Sequence, residues 1–302
     1  MRSTEPSQST VSNVSTTRHE TSLRASLLLA ATCSFSFAAG CADDATTTRS
    51  DELTGRSNSV RHDDLETFSD ADFLTLLRKY AIDDGDSVDY AAWQASADDM
   101  ALLDGHIAAI GEFSPKSHPQ LFQSTDVQKR YWINAYNALV LDSVLDLWPL
   151  ESVREVHVSL TSRVIPGKGF FYDRDVVVGG ERTNLLSLEK EVLKSQQDVR
   201  LHFALNCASD SCPVLRASDW SDEELDRAAR DFINDPANVA VADNSVHLSS
   251  IFKWYRSDFP RDLYAYLQQY AAPALHAELA MAAENRFPRR YIEYDWSLNE
   301  SE

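Results

Sequence analysis

The chain has 302 residues, of which 43% are hydrophobic, and its 47 acidic and 28 basic side chains give a formal net charge of −19. This hydrophobic content is enough to build a core, so we expect a globular protein. The acidic balance, together with the lack of any block rich in lysine or arginine, argues against nucleic acid as a partner.

Residues 1–40 have the pattern of a secretion signal. Arg24 precedes an apolar run over residues 25–40, which is shorter than the stretch of about 20 residues that a membrane span needs. Small residues directly before Cys41 resemble the lipobox of bacterial lipoproteins. We therefore predict export, cleavage before Cys41 and a lipid anchor on Cys41 that holds the protein on a membrane of the bacterial cell envelope, facing the periplasm or the surface. Cleavage without lipidation is the alternative.

The segment that follows, residues 42–64, is rich in Thr, Ser and Asp and has almost no large apolar residues, which is typical of a flexible tether. We predict that the folded domain covers residues 65–302. Ser69 can cap its first helix, which carries an apolar stripe. That stripe consists of Phe73, Leu76, Leu77 and Tyr80.

Residues Asp126–Trp148 give the strongest helical pattern, with apolar side chains around most of the circumference. Such a helix should be central and buried. Asn134 and Asn137 are three residues apart and therefore share one face of it. Because a buried amide left unpaired costs about 1–3 kcal/mol, both must have partners. Two interpretations stay open: the amides tie neighbouring loops to the helix, or they line a binding pocket.

The remaining elements are short. The patterns predict a strand at Ser152–Leu160, a hairpin at Asp175–Thr183, a second hairpin made of Val239–Val241 and Val246–Leu248, a strand at Tyr291–Leu298, and helices at Met100–Phe113, Ser187–Lys194, Asp222–Asn234 and Leu263–Tyr270. Helices come first and strands mixed with helices follow, which indicates an α+β fold. We expect a single domain in which a buried central helix packs on a small mixed sheet with hairpins.

Reactive side chains cluster between Arg200 and Pro213, at the end of an apolar run. We predict a central strand over Val199–Cys207, and functional groups often lie where such strands end. The period of two in a strand places His202 and Cys207 on opposite faces. The strand rise would separate them by about 16 Å, too far for a direct catalytic pair.

Three interpretations of Cys207 and Cys212 stay open. In an exported protein, two cysteines five residues apart can form a disulfide. One thiol could instead be a catalytic nucleophile with His202 or another histidine as base, which makes Cys207, Cys212 and His202 the catalytic candidates. The thiols and the imidazole could also contribute to a metal site, but their spacing is not that of a zinc knuckle. We predict neither a metal nor a cofactor.

Five blocks of the chain, taken in order, match the sequence pattern of a known family. They are Tyr131-Trp-Ile-Asn-Ala-Tyr-Asn-Ala-Leu139, Ser187-Leu-Glu189, His202-Phe-Ala-Leu-Asn-Cys-Ala-Ser209 with Cys212-Pro213, Ile251-Phe-Lys-Trp-Tyr255, and Tyr294-Asp-Trp-Ser-Leu-Asn299. Together they resemble domain of unknown function 547, a family without an established activity. The resemblance implies the limits of the domain and the place of the site, and it does not supply a reaction.

Two functional classes follow from these observations. The first is a cysteine- or histidine-dependent hydrolase or transferase of the cell envelope that acts on a small or peptide-like substrate. The second is a ligand-binding module without chemistry, in which the two cysteines form a structural disulfide. In both classes the partner is a small molecule or peptide. The predicted binding residues are Asn134, Asn137, Asn206, Trp254 and Tyr255.

Overall fold

The computed structural model describes residues 67–301. The secretion signal, the lipidation site at Cys41 and the tether over residues 42–64 lie outside the described residues, so these features stay predictions. Within residues 67–301, no helix is both long enough and apolar enough to cross a membrane.

The described residues contain ten α-helices and seven short strands. The helices are α1 (Ala71–Tyr80), α2 (Tyr90–Ala95), α3 (Ala97–Glu112), α4 (Thr125–Leu147), α5 (Lys168–Phe171), α6 (Leu185–Gln196), α7 (Asp222–Asn234), α8 (Ile251–Trp254), α9 (Leu263–Tyr270) and α10 (Pro273–Glu284). The strands are β1 (Ala81–Ile82), β2 (Ser87–Val88), β3 (Val176–Val178), β4 (Glu181–Thr183), β5 (Val239–Ala242), β6 (Ser245–Leu248) and β7 (Arg289–Tyr291). This mixture confirms the α+β fold class.

Helix α4 is the buried centre of the fold, as its sequence predicts. Ser124 caps its first turn by accepting a hydrogen bond from the backbone N–H of Val127 at 3.2 Å. Every residue from Tyr131 to Leu141 is buried, which agrees with apolar side chains around the whole circumference. The main neighbours of α4 are the helices α3 and α6, which pack against it.

Both predicted hairpins are confirmed. Strands β3 and β4 pair antiparallel around Gly179 and Gly180, whose φ values of 56° and 83° suit a tight turn. Strands β5 and β6 pair antiparallel around Asp243 and Asn244. Strand β7 adds to β6 in parallel, which makes a mixed three-stranded sheet that lies against α10.

Two of the predicted strands, Ser152–Leu160 and Tyr291–Leu298, are wrong. The segment Ser152–Leu160 contains a turn of 3-10 helix at Val153–Glu155, because the Ser152 hydroxyl accepts from the backbone N–H of Arg154 at 3.2 Å and starts the turn. The segment Tyr291–Leu298 is mostly irregular, with only its first residue in β7. Two of its aromatic side chains, Tyr294 and Trp296, belong to a cavity wall instead.

The strand predicted over Val199–Cys207 is also wrong. Residues Val199–Phe203 form a 3-10 helix, whose start is capped when the Asp198 carboxylate accepts from the backbone N–H of Arg200 at 3.1 Å. The Arg200 guanidinium then pairs with Asp198 at 2.6 Å and with Asp222, at the start of α7, at 2.7 Å. These polar contacts favour the turn locally, while its apolar side chains are still buried.

Candidate functional site

A cavity of about 400 Å³ lies beside the loop that follows the 3-10 helix at Val199–Phe203. This volume is in the range of small-molecule sites. Most of its wall is aromatic or aliphatic, and includes Tyr136, Phe171, Tyr172, Leu186, Leu205, Ile251, Trp254, Tyr255, Tyr294 and Trp296. Ionisable groups are few among the described lining residues, and Glu189 is the one carboxylic acid.

Both His202 and Cys207 contribute to this wall. Their predicted separation by strand alternation is therefore wrong, because a 3-10 turn and the irregular residues after it do not alternate in direction as a strand does. Five of the predicted site residues meet around the cavity, namely Cys207, Cys212, His202, Trp254 and Tyr255.

Cys207 and Cys212 are joined by a disulfide, which confirms the disulfide interpretation. The Asn206 side chain holds the loop that this bond closes. Its Nδ2 donates to the carbonyl oxygen of Pro213 at 2.7 Å, and its Oδ1 accepts from the backbone N–H of Ala208 at 2.7 Å. One amide therefore fixes both ends of the loop. Cys212 is 8% exposed, whereas Cys207 is only partly buried.

The phenol of Tyr294 lies against the disulfide. Its oxygen is 3.2 Å from Cys207 Sγ and 3.1 Å from Cys212 Sγ. Disulfide sulfurs carry no hydrogen, so the phenol is the donor. Burial raises the pKa of Tyr294, with the carboxylates of Glu189 and Asp210 acting in the same direction, which keeps the phenol protonated.

Glu189 and Tyr255 form the polar pair of the wall. The Tyr255 phenol donates to Glu189 Oε1. Burial raises the pKa of Glu189, and the Tyr255 hydrogen bond and the charge of Lys190 act in the opposite direction. Burial and the neighbouring Glu189 also raise the pKa of Tyr255. The second carboxyl oxygen of Glu189 can therefore serve a ligand while the first is bonded to Tyr255.

His202 is held by its own partners. Its Nε2 lies 3.0 Å from Asp258 Oδ2, and its ring packs on Tyr255 with 4.2 Å between centroids and on Phe259 with 5.4 Å. Burial lowers the pKa of His202, although Asp258 opposes that shift. The imidazole is thus oriented by Asp258 and favours its neutral form.

A family model described as "Protein of unknown function, DUF547" matches residues 122–233. This match confirms the resemblance to the DUF547 family over these residues. The matched stretch runs from the start of α4 to the end of α7 and contains Glu189, His202 and the disulfide. No curated protein and no solved structure matches the chain.

Three of the predicted binding residues, Asn134, Asn137 and Asn206, do not occur in the described part of the cavity wall. The Asn134 side-chain oxygen accepts from Trp220 Nε1 at 2.9 Å. Asn137 donates from Nδ2 to the carbonyl oxygen of Ala204 at 3.0 Å and accepts from the backbone N–H of Asn206 at 2.9 Å. Within residues 67–301, these amides bond the loops around α4.

Sequence reasoning missed Glu189, Asp258 and Tyr294 as site residues. Each lies in or next to a block that resembles the DUF547 pattern, and Asp258 follows the block ending at Tyr255 by three residues. These blocks indicate where site residues lie in the chain, but they do not indicate which side chains contact each other in the fold. In residues 67–301, no group of three or more His, Cys, Asp or Glu side chains is arranged to hold a metal.

Proposed function

We propose that the domain is a ligand-binding module that takes a small, mainly apolar molecule in the cavity, with Glu189 as its polar contact. The observation that carries this proposal is a cavity of about 400 Å³ whose wall is mostly aromatic and aliphatic, with few charged groups. Binding sites for small molecules combine such an apolar wall with a few polar groups that orient the ligand.

The polar contact narrows the ligand chemistry. Glu189 has one oxygen bonded by Tyr255, and its raised pKa reflects an environment that disfavours the charged carboxylate. A flat aromatic ligand with one amino group would stack on the wall and form a hydrogen bond with the other oxygen. With the export signal and lipid anchor predicted at Cys41, the module would present this cavity at the surface of a membrane.

The hydrolase or transferase predicted from the sequence remains a second candidate. It is favoured by the shared position of His202 and the two cysteines on one wall. A thiol nucleophile, however, would be free only after the disulfide is reduced. Hydrolysis that needs reductant would support this candidate over the binding module.

The fluorescent aromatic amine 1-aminoanthracene tests the binding proposal. We expect it to bind the purified protein with a blue-shifted emission, because it would leave water for the aromatic wall. Leu186→Trp adds volume at the cavity wall and should abolish binding, whereas Leu102→Trp, at an exposed position of α3, should not. Equal affinities of the two variants, or no binding to the wild-type protein, would refute the proposal.

A further inference from the structure

The geometry points to a second activity at the same wall: the Cys207–Cys212 disulfide exchanges with a small external thiol that attacks Cys207 and displaces Cys212. This activity does not depend on whether the cavity binds another ligand. It assigns different roles to the two sulfurs, and three features of the loop support that assignment.

The first feature is access. Both cysteines line the cavity, but Cys207 is partly exposed whereas Cys212 is only 8% exposed. Thiol–disulfide exchange requires the attacking thiolate to reach one sulfur along the line of the bond, so the accessible sulfur is the one attacked. The cavity provides room for a small thiol in front of Cys207.

The second feature is stabilisation of the leaving group. Cys212 Sγ accepts a hydrogen bond from the backbone N–H of Cys207 at 2.9 Å and lies 3.1 Å from the Tyr294 phenol. Cys207 Sγ lies 3.2 Å from the same phenol and 3.6 Å from Ser209 Oγ. The fixed backbone donor is therefore on the Cys212 side. Hydrogen bonds to a thiolate favour its charged form, and a thiol of lower pKa leaves faster.

The third feature is that the loop is held in place. The Asn206 side chain bonds the Ala208 N–H and the Pro213 carbonyl, at 2.7 Å each. These bonds do not involve the sulfurs, so the backbone donor of Cys207 can keep its position when the disulfide opens. The site is arranged in advance for a thiolate at Cys212.

The chemistry balances with thiols alone. A thiolate forms a bond to Cys207 Sγ as the bond between the two cysteines breaks, and the electron pair leaves on Cys212 Sγ. A second thiolate then attacks the external sulfur of the mixed disulfide and releases Cys207 as a thiolate. The protein gains two electrons, two external thiols are oxidised to one disulfide, and the protein thiolates take up protons from water.

The test treats the oxidised full chain with 2-mercaptoethanol, stops the reaction with acid, alkylates free thiols and maps the peptides. We expect the mercaptoethanol adduct on Cys207 and alkylation on Cys212 at early times. An adduct mainly on Cys212 would overturn the assignment. So would reduction that occurs only at the rate of global unfolding, because that is the behaviour of a purely structural disulfide.

Two pairs of variants test the assignment by measured rates, without peptide mapping. Tyr294→Phe should slow reduction roughly tenfold, since it removes a hydrogen bond to a developing charge, while Tyr291→Phe on the exposed strand β7 should not change the rate. Cys212→Ser should leave a Cys207 thiol that labels in the folded protein. Cys207→Ser should leave a Cys212 thiol that labels at least roughly tenfold more slowly, because its limited exposure outweighs the stabilisation of its thiolate. Equal rates within either pair would contradict the proposal.

Discussion

The backbone N–H of Asn206 donates to Oδ1 of Asn137 at 2.9 Å, so a buried amide of the central helix holds the residue that precedes the disulfide. Asn137 also donates from Nδ2 to the carbonyl oxygen of Ala204 at 3.0 Å. Both atoms of one side-chain amide are therefore used to fix the chain between the 3-10 helix and the disulfide loop.

Replacing Asn137 by Leu should destabilise the protein strongly. The substitution keeps a similar volume but leaves two buried backbone groups without their partner, and each such loss costs about 1–3 kcal/mol. We expect the free energy of unfolding to fall by about 2–5 kcal/mol in urea denaturation. The matched variant Gln269→Leu replaces an exposed amide on α9 and should change stability by less than about 0.5 kcal/mol.

Gly169 should be essential for the wall of the cavity formed by α5. A Cβ atom at this position would lie 1.8 Å from the carbonyl oxygen of Val156, which is backbone and cannot move aside as a side chain can. Gly169→Ala should therefore displace α5, lower thermal stability and weaken binding of 1-aminoanthracene, because Lys168 and Phe171 of α5 line the cavity.

Gly105 provides the control for that substitution. It lies inside α3, and a Cβ there would meet nothing within 4 Å. Gly105→Ala should raise stability by about 0.5–1 kcal/mol through helix propensity alone and leave binding unchanged. If both alanine variants behave alike in thermal unfolding and in probe binding, the close approach of α5 to Val156 does not matter.

Local sequence patterns predicted those helices and turns that are determined by residues close together in the chain. Asp126–Trp148 carries its apolar side chains on all faces, and the two hairpins contain turn residues that accept positive φ, so helix α4 and both turns could be read from the chain. Helix α10 could not, because only Leu279 and Ala282 of it are buried, which gives a weak periodicity.

The candidate site depended on pairings that no local pattern encodes. His202 and Asp258 are 56 residues apart in sequence, and Glu189 and Tyr255 are 66 apart. The chain indicated the place of the site through the cysteines and His202. It could not indicate the partners, because these lie in distant parts of the chain that meet only in the folded protein.

Asp70 and His106 should show opposite effects of pH on stability. Their side chains lie 3.9 Å apart and are both buried. Burial raises the pKa of Asp70 from 3.8 to about 6, with Asn134 and Arg130 acting in the opposite direction, and burial lowers the pKa of His106 from 6.5 to about 4. Each shift of about two pH units corresponds to about 3 kcal/mol.

The direction in which each group changes stability with pH follows from the linkage between proton binding and folding. The fold favours protonated Asp70, so its stabilisation is present at low pH and is lost as pH rises from 3.8 through about 6. The fold favours neutral His106, so its stabilisation is present above pH 6.5 and is lost as pH falls towards 4. We expect the two to offset each other in the wild-type protein.

Denaturation of two variants from pH 4 to 6.5 separates these contributions. Asp70→Asn should lose stability as the pH falls, by up to about 3 kcal/mol, because only the His106 contribution is left. His106→Gln should instead lose stability as the pH rises. Parallel pH profiles for the two variants would show that this buried pair does not control the titration.

Glu189 should make the protein less stable as the pH rises, and this dependence tests the polar contact assigned to the cavity. Burial raises its pKa above the usual 4.5, so the fold favours the protonated acid. The free energy of unfolding should then fall as the pH rises from 4.5 through the raised pKa of the folded state. Glu189→Gln removes the ionisation and should flatten that part of the profile.

Tyr255→Phe removes the hydrogen bond that opposes the rise of the Glu189 pKa. This variant should therefore be less stable at low pH, and its stability should continue to fall up to a higher pH. Carboxyl-carbon NMR titration of the wild-type protein and Tyr255→Phe measures the shift directly, and an unchanged or lower Glu189 pKa in the variant would contradict the assigned role of Tyr255.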